Sequence, residues 1–410
     1  MSRMQTGNRA YFKALLVRTF RDVIVLSQWC CTAPYPLEPY QCFTHHHHTI
    51  VRRFRRFCAG VLFGIIFAAP FVLYYVDSGQ IYVYSIPLSI KLMYYVQTAI
   101  QTGSMGYILL VYQFRINFHY FYFERLVCVL EEFGRPDIDA RLYALQTNIR
   151  RMLAVTLPYI VLIVTAYILR EQSWAVLPKI VIFLATQLMA TSLTLLYVAI
   201  FGTVAMLLRQ MNDTLESILV SMVEKTPAHS SLVNTTPVRL TRDDERTVEK
   251  IRLLQLKLLH IVLRINGGEY GQLLIMILLA TFIFLNTELL QLYQSINSGA
   301  FSFAVIGSKV LNSVQKIAML FMFAYPNRLI QTQNIRGLKI LYQLNKPGND
   351  SRCIEITNRF ITQTTLFLDK AHEVYGMISI DMTLILSIVG GLTNILVVLV
   401  QFSDATPSST

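Results

Sequence analysis

Hydrophobic positions along this chain fall in long blocks rather than in alternation. Seven blocks are long enough to cross a bilayer: Cys58–Val76, Ser85–Tyr112, Met152–Leu169, Lys179–Leu208, Gly271–Leu292, Phe301–Ala324 and Met377–Phe402. The second and fourth exceed the ~20 residues a crossing requires, so they tilt or project beyond the bilayer. Between blocks the spacing of apolar residues drops to three and four. Val248, Ile251, Leu254, Leu258, Val262 and Ile265 predict an amphipathic helix over about 245–270. Ile354, Phe360, Ile361, Leu366 and Leu368 predict another over about 353–376. Such helices either pack as a bundle below the membrane or lie on its surface. Residues 224–245 are polar and read as a mobile linker. The pattern predicts an all-α membrane protein: an N-terminal segment (1–57), a seven-helix domain with its helical extensions (58–402) and a short tail (403–410).

Composition supports this reading. The chain is 54% hydrophobic and 15% charged, whereas a soluble domain carries nearer a quarter charged residues. Its net charge of +12 would suit nucleic acid, but the distribution of that charge points elsewhere. Of 36 Lys and Arg, 31 lie in 1–57, 114–151, 209–270 and 325–376, the alternate segments between blocks. Positive charge stays cytoplasmic, so the amino terminus is expected inside and the carboxyl terminus outside. No nucleic-acid partner is needed. The first thirty residues lack the apolar core and small-residue site of a signal peptide. The sequons at Asn212, Asn234 and Asn349 fall in segments expected to be cytoplasmic, so none should carry glycan. Five cysteines (Cys30, Cys31, Cys42, Cys128 and Cys353) fall there too, and Cys58 opens the first block, which fits free thiols. The run His45–His48 has no Cys or carboxylate at a zinc-like spacing and reads as part of a loosely ordered arm. No metal, cofactor or enzymatic constellation is expected.

Seven blocks with an internal amino terminus invert the G-protein-coupled receptor arrangement. That class's Asp-Arg-Tyr and Asn-Pro-x-x-Tyr signatures are also missing from their places, and "YPNR" (325–328) is only a weak echo. The outer connections span about ten residues or fewer, too short for a folded binding domain. A small ligand must therefore bind among the helices.

The last block carries a polar stripe. Gly376, Ser379, Thr383, Ser387, Gly390, Asn394, Val397 or Val398, and Gln401 follow helical steps of three and four. Amides facing hydrocarbon cost several kcal/mol each, so the stripe faces protein or water. It is either a small-residue packing seam or one wall of a conduit. A proton- or sodium-driven transporter would show a midplane relay, and none is evident. One striped helix encloses a pore only when several copies surround an axis. Val398 would then gate by dewetting, with Gln401 just outside it. Asp381, near the inner mouth, either concentrates cations or simply ends the helix.

With these features, the terminal "TNILVVLVQF" resembles the insect gustatory receptors, whose last helix carries Thr-Tyr, five hydrophobic residues and Gln-Phe. Aligned on Gln401 and Phe402, residues 395–400 supply the apolar run. Asn394 and Ile395 stand where the family has Thr and Tyr. The resemblance implies a plasma-membrane, ligand-gated, non-selective cation channel of sensory neurons, a homo- or hetero-tetramer embedded in lipid. It implies pore positions at Gln401, Phe402, Val398, Asn394 and Val397, with a small-molecule tastant held among spans two to six and open to the outside. Leu396 occupies the position where sugar receptors of the family often carry Glu, which favours a bitter or other aversive ligand. Candidate ligand contacts in the outer halves of the spans are Tyr94, Tyr95, Gln97, Thr98, Tyr167, Gln187, Thr191, Asn286, Glu288, Lys309, Asn312 and Gln315. Tyrosines suit amphipathic or aromatic compounds. Glu288 and Lys309 are expected either to pair with each other or to serve the ligand. A metabotropic receptor and a secondary transporter are the alternative readings.

Overall fold

In chain order the helices are α1 (Ser2–Trp29), α2 (His45–Val76), α3 (Leu88–Phe114), α4 (Ile116–Phe133), α5 (Ile138–Glu171) and α6 (Val176–Glu224). They continue with α7 (Arg242–Asn266), α8 (Glu269–Asn297), α9 (Phe303–Leu344), α10 (Ser351–Leu368) and α11 (Met382–Ala405). Strands β1 (Glu373–Val374) and β2 (Ile378–Ser379) pair antiparallel between α10 and α11. The structure, a computed structural model, describes all residues except 1, 34–44, 77–87, 115, 134–136, 172–175, 225–240, 298–302, 346–350, 369, 371–372, 377 and 406–410. The seven predicted blocks lie in α2, α3, α5, α6, α8, α9 and α11.

Helix length tells which of these outrun a bilayer. The 49 residues of α6 extend about 74 Å at 1.5 Å per residue, more than twice a ~30 Å hydrocarbon core. Every residue from Met189 to Phe201 is buried, which makes α6 the central post. By contrast, α5 carries a stretch equally able to cross a membrane (Ile138–Leu169), yet only 11% of its most apolar window is buried, against 89% for α6. The apolar side of α5 is turned outward, as for a helix bathed in lipid.

The segments between the spans hold more structure than their sequence suggested. The N-terminal segment forms α1, which packs on α4, α5 and α6 and fully buries Leu16, Phe20 and Val23. Basic residues interrupt its apolar face, so it never reads as a block. His45–His48 are not in a loose arm: their backbone is the first turn of α2, and their side chains lie outside the described residues. An unpredicted helix, α4, bridges α1 and α7.

The two amphipathic helices are present with altered limits. A reciprocal capping box starts α7, in which Thr241 accepts from the Asp244 amide and the Asp244 carboxylate accepts from the Thr241 amide. Gly267 closes the helix by donating to Leu263 O at 2.7 Å. All six residues of its predicted apolar stripe are buried, against α4, α6, α8 and α10, so α7 belongs to a packed bundle. In α10 the buried face is Cys353, Thr357, Phe360, Gln363 and Thr364, while Leu366 is exposed. Polar contacts set that rotation: the Gln363 amide donates to Arg252 O at 3.0 Å, and Arg252 donates back to the Gln363 side chain at 2.9 Å. The expected helix to residue 376 stops at Leu368 and gives way to the hairpin, so the last span begins at Met382 rather than Met377.

Ion pairs between helices tie together this end of the molecule. Arg9 meets Glu124 and Arg150 meets Asp22, both at 2.6 Å, while Arg336 bridges Asp213 (2.7 Å) and Glu216. Hydrogen bonding to Arg252 holds the Glu249 carboxyl below its ordinary range. Asn212 is buried inside α6 and donates to Gln333 O at 2.7 Å, so its sequon is closed to a glycosyltransferase.

Candidate functional site

The amino end of α11 is set by Asp381. Its Oδ1 accepts from the Thr383 amide at 2.8 Å and the Leu384 amide at 3.3 Å, and from the Thr383 hydroxyl at 2.5 Å. This is an N-cap, the role a helix-end carboxylate performs best. From there α11 leans on α8 and α9 through one face, with Leu384 and Ile388 packed on the core and Leu392 buried. Gly391 belongs to that face: a Cβ there would lie 3.2 Å from the Phe282 ring. Its neighbour Gly390 has nothing within 4 Å.

The polar stripe occupies the opposite face. Thr383, Ser387, Gly390, Asn394 and Gln401 are exposed, as are Val397 and Val398. The side chain of Phe402 lies outside the described residues. A packing seam within the chain is thereby separated from the stripe: Gly391 makes the seam and the polar residues do not.

A second cluster sits between the helices. Gln97, Gln187, Thr191, Asn286, Glu288, Lys309, Asn312 and Gln315 are all buried. Helix α9 carries Lys309, Asn312, Gln315 and Lys316 at helical spacing, and α8 opposes them with Gln291, Glu288 and Phe284. The Lys309 ammonium donates to the Gln291 side-chain oxygen, and the Lys316 ammonium lies 5.5 Å from the centre of the Phe284 ring, so the two faces run antiparallel. Asn312 also donates to the Tyr167 hydroxyl at 2.8 Å, and the Tyr167 ring stands 5.3 Å from Phe183, one turn before Gln187. About two turns earlier in α5, Tyr159 donates to Leu311 O at 2.8 Å. Tyr95 stands apart, 51% exposed, Thr98 is half-buried, and the Tyr94 side chain is outside the described residues.

Several of these groups have no hydrogen-bond partner among the described residues: Gln97 Oε1, Gln187 Oε1, Thr191 Oγ1, Asn286 Oδ1, Asn312 Oδ1 and both ends of the Gln315 amide. Each buried unsatisfied group costs about 1–3 kcal/mol. Sequence reasoning missed Tyr159, Gln291 and Lys316, although all three continue stripes that were already visible. The two surface grooves of the helical end, about 590 Å³ between α7 and α10 and about 490 Å³ between α1 and α5, lie away from this cluster.

Beneath the cluster a buried network joins four helices. Asn327 donates to the Tyr197 hydroxyl at 2.7 Å, and Tyr197 donates to Asn266 at 3.3 Å. Tyr197 also stacks on Tyr270 with ring centres 5.9 Å apart. The β1–β2 hairpin docks on this junction: Tyr375 donates to Gly268 O at 2.9 Å, and Val374 is fully buried. Gly271 permits the approach, because a Cβ there would fall 1.9 Å from Asn266 O and 3.0 Å from Val374.

Known proteins share this architecture. The family described as 7tm Chemosensory receptor matches residues 22–406. Among solved structures, the insect olfactory receptor OR5 from Machilis hrabei superposes with a TM-score of 0.66 at 9% identity, covering 95% of this chain and 99% of the receptor. The same receptor in complex with eugenol gives a TM-score of 0.65 at 11% identity, with the same coverage. No curated protein matches the chain by sequence.

Proposed function

Since this chain belongs to the seven-transmembrane chemosensory receptor family, we propose that it is one subunit of a ligand-gated, non-selective cation channel of the plasma membrane. The family is one of receptors, not enzymes. In this reading four copies, identical or related, surround an axis, the amino terminus is cytoplasmic, and α11 of each copy lines the conduit. A small tastant binds among the helices from the outer side. The observation that carries the reading is the two-faced packing of α11: its apolar face rests on α8 and α9, while Thr383, Ser387, Asn394 and Gln401 stand exposed. Such a face is costly against lipid and suited to hydrated cations.

The second support is the cluster of buried polar groups between α3, α5, α6, α8 and α9, which offers hydrogen bonds that the protein does not satisfy. The eugenol complex of the olfactory receptor is in keeping with a small ligand for this fold. The terminal Gln401-Phe402 and the absence of Glu at Leu396 favour a gustatory receptor for an aversive compound.

Purified protein in planar bilayers tests the channel. Discrete cation currents without G protein or nucleotide are expected, and Gln401→Ala should change conductance or ion selectivity. Wild-type permeation in that variant would remove α11 from the conduit, and ligand-driven uptake without discrete openings would identify a transporter.

A further inference from the structure

Three charged side chains are buried among the described residues: Glu288 (7% exposed), Lys309 (5%) and Lys316 (8%). All three lie on the facing sides of α8 and α9, within the spans. Two cations and one carboxylate leave this region with a positive excess. Lys309 lies at the level of Gln291, to which it donates, three residues from Glu288 along α8. Lys316 lies two turns deeper along α9, at the level of Phe284, four residues from Glu288 on the other side. Its ammonium lies 5.5 Å from the centre of the Phe284 ring, and among the described residues it has no ion pair or hydrogen bond. A ring face attracts a cation weakly and does not neutralise it. Lys316 falls inside the apolar block 301–324, where an ionisable side chain is costly and marks a functional position. Beside it, the Gln315 amide is 5% exposed and has neither its donor nor its acceptor engaged.

We propose that Lys316 is the anchor for an anionic ligand, and that the compounds this receptor binds carry a carboxylate on an apolar body. The inference rests on the reading of the buried cluster as the ligand site, and it narrows the ligand class from small molecules in general to organic acids. The Lys316 ammonium meets the carboxylate, and the Gln315 side chain can donate to its second oxygen. The apolar body lies along the Phe284 ring and the buried leucines of α8. A neutral analogue would leave the ammonium unneutralised, and a cationic one would be repelled.

The purified full-length protein in detergent tests this without requiring that it conduct. At pH 7.4, thermal unfolding is followed with octanoate and indole-3-acetate and with their primary amides, which keep the size and remove the charge. At least one acid is expected to stabilise the protein at concentrations tenfold or more below its amide. Lys316→Met should abolish that ratio and Lys316→Arg should preserve it. Should Lys316→Met fail to fold, the wild-type ratio decides alone. Amides that stabilise as well as the acids, an acid preference that survives Lys316→Met, or no shift with either acid would each overturn the proposal. Failure of the channel reading, by contrast, would show in the bilayer currents of Gln401→Ala and leave this ratio untouched.

Discussion

The adjacent glycines of α11 allow its two faces to be measured separately. Gly390 and Gly391 sit in the same helix turn, and replacing either by alanine gains about 1 kcal/mol of helix propensity. At Gly390 the new methyl meets nothing within 4 Å, so the gain stands and Gly390→Ala should stabilise the subunit by about 1 kcal/mol. At Gly391 the methyl lies 3.2 and 3.3 Å from two atoms of the Phe282 ring, closer than ordinary van der Waals contact. Overpacking of this kind costs about 1–3 kcal/mol, which offsets or exceeds the gain. The two variants should therefore differ by about 1–3 kcal/mol, read as separate thermal midpoints of detergent-purified protein. Conductance should reverse the order: four methyls at Gly390 narrow the conduit, whereas Gly391→Ala acts on gating through α8. Equal destabilisation by both substitutions would refute the assignment, because it would mean that the polar stripe is itself packed against protein.

Two further substitutions probe the junction under the hairpin and the start of α11. Gly271→Ala places a methyl 1.9 Å from Asn266 O, a backbone contact that cannot yield, so a loss of at least about 3 kcal/mol and poor surface expression are expected; wild-type expression would show that the Asn266 carbonyl does not approach residue 271 so closely. Asp381→Ala should cost about 1 kcal/mol through the lost N-cap, and Asp381→Ser should restore the thermal midpoint. A fall in cation permeation shared by both Asp381 variants would assign the carboxylate to charge rather than to capping.

Long apolar runs made the seven spanning helices legible, because a stretch of 20 such residues has few other stable states. The stripe of α7 was equally plain, since Val248 through Ile265 keep helical spacing for five turns. What escaped was structure held by mixed contacts. Helix α1 buries Leu16 and Phe20 between charged residues, of which Arg9 pairs with Glu124 of α4 and Asp22 with Arg150 of α5, and α10 buries Cys353 and Thr357 instead of Ile354 and Leu366. In each case partners distant in sequence decide which face turns inward. Strands β1 and β2 fall where the sequence predicts helix, because nothing local forbids it there, yet Tyr375 and Gly376 both adopt a left-handed backbone (φ 53° and 64°). That conformation is uncommon for a tyrosine, and its hydroxyl bond to Gly268 is tertiary. Of the candidate ligand residues, those on the inward stripes of α6, α8 and α9 came together. Tyr95 did not, because aromatic character alone does not say which side of a helix faces protein.

For the tetrameric channel proposed above, the same geometry sets how much a ligand must contribute to opening. Turning a 1:99 population of open channels into 99:1 takes about 5.5 kcal/mol of differential binding. Spread over the four sites of a tetramer this is about 1.4 kcal/mol per subunit, near the net worth of one hydrogen bond. One contact to Asn286, Asn312 or Gln315 that forms only in the open arrangement is therefore sufficient, and tight binding is not required. These residues lie on α8 and α9, the two helices that α11 rests against, so a ligand that separates them withdraws the support of α11. Its lower end cannot follow, because Val374 and Tyr375 hold the hairpin to the α7–α8 junction. With one end fixed and one face released, the proposed opening is a tilt of α11 rather than a slide, and the expected motion is largest at its far end, where Val398 and Gln401 stand.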